Sequence, residues 1–188
     1  MTPLSTMVFL GLMACAESLD TAVTADSGST NTTGSELPAT LSTPDGNLLV
    51  DAGGCGDVYF TLGSADRSLV LVFSLDRALT LEAYETGTAE ATVSLATAGE
   101  LMLHQGTDAT DFFCNDAMTK EMVIDRSWVA SSGEVTVTVV SDGDKQPGPQ
   151  HTGLGGIIIR DAVLSVEGAE DFTIEGVTWE ARVGWLPG

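Results

Sequence analysis

The sequence predicts an all-β protein: a single antiparallel β-sandwich domain, jelly-roll or Ig-like, over residues 44–188. Three observations carry this reading. Apolar and polar residues alternate with period two in a series of short runs. Clusters of Gly, Asp, Ser and Pro separate those runs at hairpin-like spacing. Helical periodicity is scarce.

In chain order, Asp57 to Leu62 places Val58, Phe60 and Leu62 on one face. Leu69 to Phe73 is apolar on both faces, the pattern of a strand covered on two sides. Ala91, Val93 and Leu95 alternate with Thr92, Ser94 and Ala96, and Leu101 and Leu103 with Met102 and His104. Val135, Val137 and Val139 share a face opposite Glu134, Thr136 and Thr138. The last run sets Val177, Trp179, Ala181, Val183 and Trp185 against Thr178, Glu180 and Arg182. Turns are expected at Pro44-Asp45-Gly46-Asn47, Gly53-Gly54, Gly63 to Asp66, Thr86-Gly87, Ser132-Gly133, Asp142-Gly143-Asp144 and Gly168-Ala169. One short helix is expected near Asp116 to Met122, with Asp116 as its cap. Two longer stretches, Gly106 to Met118 and the Pro/Gly-rich Lys145 to Gly156, read as loops, where binding residues concentrate. The second faces of the strands are Thr, Ser and Glu in place of an outward apolar band, which argues against a lipid-embedded barrel.

Composition narrows the partners. The chain has 188 residues, with 27 Asp and Glu against 7 Lys and Arg, a formal net charge of -20. Such a surface repels phosphate backbones, so nucleic acid is excluded as a partner. At 43% hydrophobic residues the chain can bury a core. Residues 16–43 differ: Ser, Thr, Ala, Gly and Asp dominate, with four acids and no base. That segment reads as a disordered tether with a reach of roughly 30 Å.

Ahead of it, Met7 to Ala14 is apolar but far short of the roughly 20 residues a spanning helix needs, so it reads as a targeting segment. It ends in Leu12-Met13-Ala14-Cys15. That tetrapeptide resembles the lipobox of bacterial lipoproteins, with leucine at the favoured position and a small residue before the cysteine. The resemblance implies a signal peptide over residues 1–14, fatty acylation of Cys15, and a lipidated tether over residues 15–43. It also implies export and a membrane anchor in the cell envelope. Ala16 is not the aspartate associated with inner-membrane retention, which points to the outer membrane. No Lys or Arg precedes Cys15, whereas secretory signals open with a basic region; we therefore expect the start codon to lie upstream of Met1. The resemblance covers the first fifteen residues and, loosely, the tether, and the domain itself carries no family motif.

With Cys15 acylated, Cys55 and Cys114 remain as a pair in an oxidising compartment, where a disulfide is expected and buried free thiols are the alternative. Cys55-Gly56-Asp57 and Cys114-Asn115-Asp116 each set an aspartate two residues after a cysteine. In extended chain, residues i and i+2 share a face, so a bridge would bring Asp57 and Asp116 together, with Asp108 and Asp111 nearby. Clustered carboxylates call for a hard cation, and calcium is the candidate cofactor; turn-capping aspartates are the plainer account. His104 and His151 lie in no zinc-type spacing, and His104 is expected to be solvated. Neither a nucleophile elbow nor a P-loop is present. Trp179 and Trp185 are expected in the core, whereas Tyr59, and Trp128 near Arg126, could form a platform for a sugar or peptide. The resulting expectation is a non-enzymatic, structural or protein-binding module of the envelope, with an envelope protein or glycan as partner. A calcium- or carbohydrate-binding module and, last, a hydrolase are the alternatives.

Overall fold

Strand pairing begins at Leu41, where the backbone pairs with Leu49 across the first turn. The computed structural model describes residues 40–56, 58–75, 78–114, 123–143 and 152–184. The signal peptide, Cys15, the tether to residue 39, the helix expected at Asp116 to Met122, Asp144, His151 and Trp185 lie outside the described residues.

The class is as expected: all-β and antiparallel. The elements are β1 (Leu41–Ser42), β2 (Leu48–Cys55), β3 (Tyr59–Ser64), β4 (Leu69–Ser74), α1 (Ala78–Thr86), β5 (Thr88–Ser94), β6 (Glu100–Thr107), β7 (Val123–Ser141), β8 (Thr152–Ser165) and β9 (Phe172–Gly184). They hydrogen-bond as one nine-stranded sheet in the order β1-β2-β3-β4-β6-β7-β8-β9, with β5 also on β7. The sheet curls until it is nearly closed as a barrel. Its ends meet where the Gly184 N–H donates to the Gly56 carbonyl. Inside lie Phe60, Leu71, Phe73, Leu103, Val137, Ile157, Ile159, Ile174 and Trp179, all buried. Trp179 meets Phe60 edge to face, with ring centroids 6.3 Å apart.

The closing seam revises one expected turn. Gly53-Gly54 lies within β2, where a Cβ on Gly54 would stand 2.6 Å from the Arg182 carbonyl oxygen and 2.8 Å from the Ala181 Cβ. The glycine pair permits close approach of two backbones; it does not reverse the chain. Ser132-Gly133 is likewise no turn, because β7 runs through it. There the β7–β8 register shifts between Ala130 and Glu134, Gly133 adopts φ 121° and Asp161 in β8 adopts φ 50°. On the other side of β7, the turn after β5 meets the same point, where the Leu95 N–H donates to the Gly133 carbonyl over 3.0 Å. The irregularities in β7 and β8 thus coincide and bend the sheet, as bulges do when a sheet must curl. The expected Pro/Gly loop is also shorter than read, since β8 already begins at Thr152. In β8, Gly155 packs beneath Phe60, whose ring leaves no space for a Cβ.

Helix α1 was not expected. Ala78 to Thr86 is rich in Ala, Leu and Glu and free of Gly and Pro, a composition with adequate helix propensity. It ends at Gly87, whose N–H donates to the Ala83 carbonyl over 2.7 Å. Ala83 is buried in the main core, and the Gly87 carbonyl accepts from the Ser141 N–H at the close of β7. Among the described residues no helix is long and apolar enough to cross a membrane.

Candidate functional site

Two places gather the residues singled out from sequence. The first is a flap, Thr107 to Cys114, lying over the outer face of β3, β4 and β6. Its need is visible in β4, where Val70 and Val72 point away from the barrel interior and are nevertheless buried. They pack with Ala109 of the flap, which is fully buried, and with Tyr59, Phe113 and Ile124. This is the two-sided cover that Leu69 to Phe73 implied. Cys55 and Cys114 are bridged, tying the flap's end to β2. Phe113 stacks on His104, with centroids 5.3 Å apart, and on Tyr59 at 6.1 Å.

These contacts correct two readings. His104 is half-buried under Phe113, with Nδ1 2.8 Å from the Ser127 hydroxyl, and is not a solvated side chain. Burial lowers its pKa below the ordinary imidazole value. Tyr59 is also half-buried and forms no open platform; burial, aided by the nearby Glu100 carboxylate, raises its phenol to about 12.

Of the aspartates expected to hold calcium, Asp108 and Asp111 lie among the described residues. Asp108 heads the 3-10 turn Ala109–Phe112 in the left-handed conformation, φ 52°. Asp111 accepts from the Arg67 guanidinium over 3.0 Å, an exposed ion pair. Asp57 and Asp116 lie outside the described residues. Among the described residues no group of three or more His, Cys, Asp or Glu side chains is disposed to hold a metal.

The second place is the end of the barrel away from α1. Here the first turn (residues 43–47), the start of β4, the N-terminal part of β7 and the β8–β9 turn surround a cavity of about 190 Å³. Its floor is apolar: Leu69, Leu103, Trp128 and Phe172, each buried. Its rim carries Asp45, Arg126 and Glu170, each exposed. Arg126 and Trp128 are two residues apart in β7 and therefore share a face. The guanidinium carbon stands 5.4 Å from the Trp128 ring centroid, a cation–π contact. The Trp128 Nε1–H donates to the Glu170 backbone carbonyl over 3.4 Å, which joins the β8–β9 turn to β7. The first turn is closed by hydrogen bonds from the Thr43 N–H to the Asn47 carbonyl and from the Gly46 N–H to the Thr43 carbonyl, both 2.9 Å.

Sequence reasoning found the Trp128/Arg126 pair as a candidate platform, and it is this pair that opens on a cavity, although only 8% of Trp128 is exposed. It missed Asp45, Glu170 and Phe172. Asp45 and the Gly168-Ala169 turn next to Glu170 stood out only as chain reversals, and the meeting of the two turns at one barrel end follows from topology alone. No family model matches the chain, and neither a curated protein nor a solved structure matches it.

Proposed function

We propose that this protein is an exported, lipid-anchored binding module of the cell envelope, which takes up a ring-sized group of its ligand in the barrel mouth. The observation that carries the binding reading is the cavity itself, where an apolar floor and three charged side chains converge at one end of the fold. Convergence of a few polar groups on an apolar recess is the usual make-up of a binding site. The anchor reading rests on Leu12-Met13-Ala14-Cys15, and the frame of the site is the antiparallel sheet, nearly closed as a barrel.

Two measurements test the proposal. Cells fed labelled palmitate should label the wild-type protein, and the Cys15→Ser variant should remain unlabelled; a labelled variant overturns the anchor. A fragment screen by NMR should shift the Trp128 indole N–H with at least one ring-sized compound. A screen that leaves this resonance unmoved overturns the binding role.

A further inference from the structure

We propose that the mouth cavity recognises a single neutral sugar ring, the terminal pyranose of a glycan. This rests on the ligand-binding reading above and adds the chemistry of the ligand. Size comes first. A dry cavity of about 150 Å³ admits benzene, so about 190 Å³ holds one six-membered ring with small substituents. It is below the roughly 300 Å³ at which pockets for larger molecules begin. The site therefore reads one unit at an end and does not run along a chain.

Chemistry selects among rings of that size. The floor formed by Trp128, Leu103 and Phe172 suits the C–H face of a pyranose, which is apolar. The rim is mixed. Asp45 and Glu170 are acceptors only when ionised, and Arg126 is a donor only. A hydroxyl donates and accepts, so a polyol satisfies both kinds of rim group at once. An anionic ligand would meet both carboxylates and a chain whose net charge is -20. A cationic one is drawn by those same charges but leaves the Arg126 donors facing a like charge, whereas a neutral polyol uses the donor and both acceptors together.

The state of Arg126 supports the same choice. Arg67 and Arg182 are each committed to a carboxylate, Asp111 and Asp142, over 3.0 Å. Arg126 instead lies on the Trp128 ring face. Its N–H fork is thereby positioned without being consumed by a carboxylate among the described residues, and Trp128 is tied in turn to the backbone carrying Glu170. The Arg126 donor and the apolar floor are held relative to the backbone that carries Glu170 before any ligand arrives, which lowers part of the ordering cost of binding.

The test uses the full chain carrying Cys15→Ser, labelled with ¹⁵N and followed through its tryptophan indole N–H resonances. The probes are methyl glycosides of the common neutral hexopyranoses, phenol as an uncharged apolar ring, and benzylamine and benzoate as charged rings. The expected result is a saturable millimolar shift of the Trp128 resonance with at least one glycoside. Asp45→Asn, Glu170→Gln and Arg126→Gln should each weaken it by about tenfold, the usual effect of losing a hydrogen bond to a charged group, with an unchanged circular dichroism melt. If phenol, benzylamine or benzoate shifts Trp128 and no glycoside does, the sugar assignment is overturned while the cavity remains a binding site. If no probe shifts it, both readings fall. Glycoside binding that survives all three substitutions also overturns the assignment, because the rim would then contribute nothing.

Discussion

Substituting Gly54 tests whether the sheet really closes on itself. In β2 an alanine here would place its Cβ 2.6 Å from the Arg182 carbonyl oxygen, 2.8 Å from the Ala181 Cβ and 3.0 Å from the Tyr59 carbonyl oxygen. Ordinary contact at such a position is 3.4 Å or more, so β9 must retreat by roughly 0.8 Å. None of these atoms is the free end of a flexible side chain, and two belong to the backbone. A retreat of that size is a sixth of the spacing between paired strands, about 4.8 Å, and works against the hydrogen bond from Gly184 to Gly56. Overpacking of this sort costs about 1–3 kcal/mol. The two-backbone contact puts Gly54→Ala toward the upper end, a fall in melting temperature of about 4–10 °C for a domain of this size. Gly156 provides the control: it is a strand glycine in β8 with nothing within 4 Å of its virtual Cβ. Gly156→Ala should be neutral or stabilise by up to about 1 kcal/mol through the unfolded chain. Urea denaturation of both variants measures the contrast. If Gly54→Ala matches wild type within about 0.5 kcal/mol, β2 and β9 do not form a seam and the barrel is open.

Three further outcomes follow from the flap. Replacing Cys55 and Cys114 together by serine removes a link across 59 residues of sequence, worth about 4 kcal/mol in the chain-entropy model; wild type in reductant should show the same lowered urea midpoint, and an unchanged midpoint would mean that Ala109 and Phe113 hold the flap unaided. Arg67→Ala should cost less than about 1 kcal/mol, because the Arg67–Asp111 pair is exposed on both sides; a larger loss in the same urea assay would refute the view that packing dominates there. His104 has a folded pKa below its unfolded value of about 6.5, so the unfolded chain takes up its proton first. Its contribution is therefore intact above pH 6.5 and is lost as pH falls through the folded pKa. Melting temperatures from pH 7.5 to 5 should decline in wild type and decline less in His104→Gln.

Local patterns were legible where a residue's neighbours in sequence are also its neighbours in space. The hairpin at Gly63 to Asp66 is such a case: the Asp66 carboxylate accepts from the Ser64 hydroxyl at 2.6 Å and from the Ser68 N–H at 3.1 Å. Ser64 supplies the largest of the hydrogen bonds that lower the Asp66 pKa. The double burial of Leu69 to Phe73 was legible for a different reason, since five apolar residues in a row leave no face for water. Gly53-Gly54 was misread because a glycine pair has the same local signature in a turn and in a seam. What separates the two is Arg182, on a strand more than a hundred residues away in the chain. Ser132-Gly133 failed in the same way, with Ala162 as the distant partner.

The mouth cavity shows why a proposed binding site is harder to read than a core. Trp128 and Arg126 could be paired from sequence, because two residues along a strand return to the same face. Asp45 and Glu170 belong to turns, and a turn residue reports only its own chain reversal. Their convergence depends on β2 and β9 coming round to meet, which is set by the bulges at Gly133 and Asp161 bending the sheet. The residues that create the site's shape are thus remote from the residues that give it chemistry. A substitution that straightens β7 at Gly133 should therefore widen the mouth and weaken the proposed binding, read as a smaller Trp128 indole shift with the same probes, although the chemical identity of every rim side chain is unchanged.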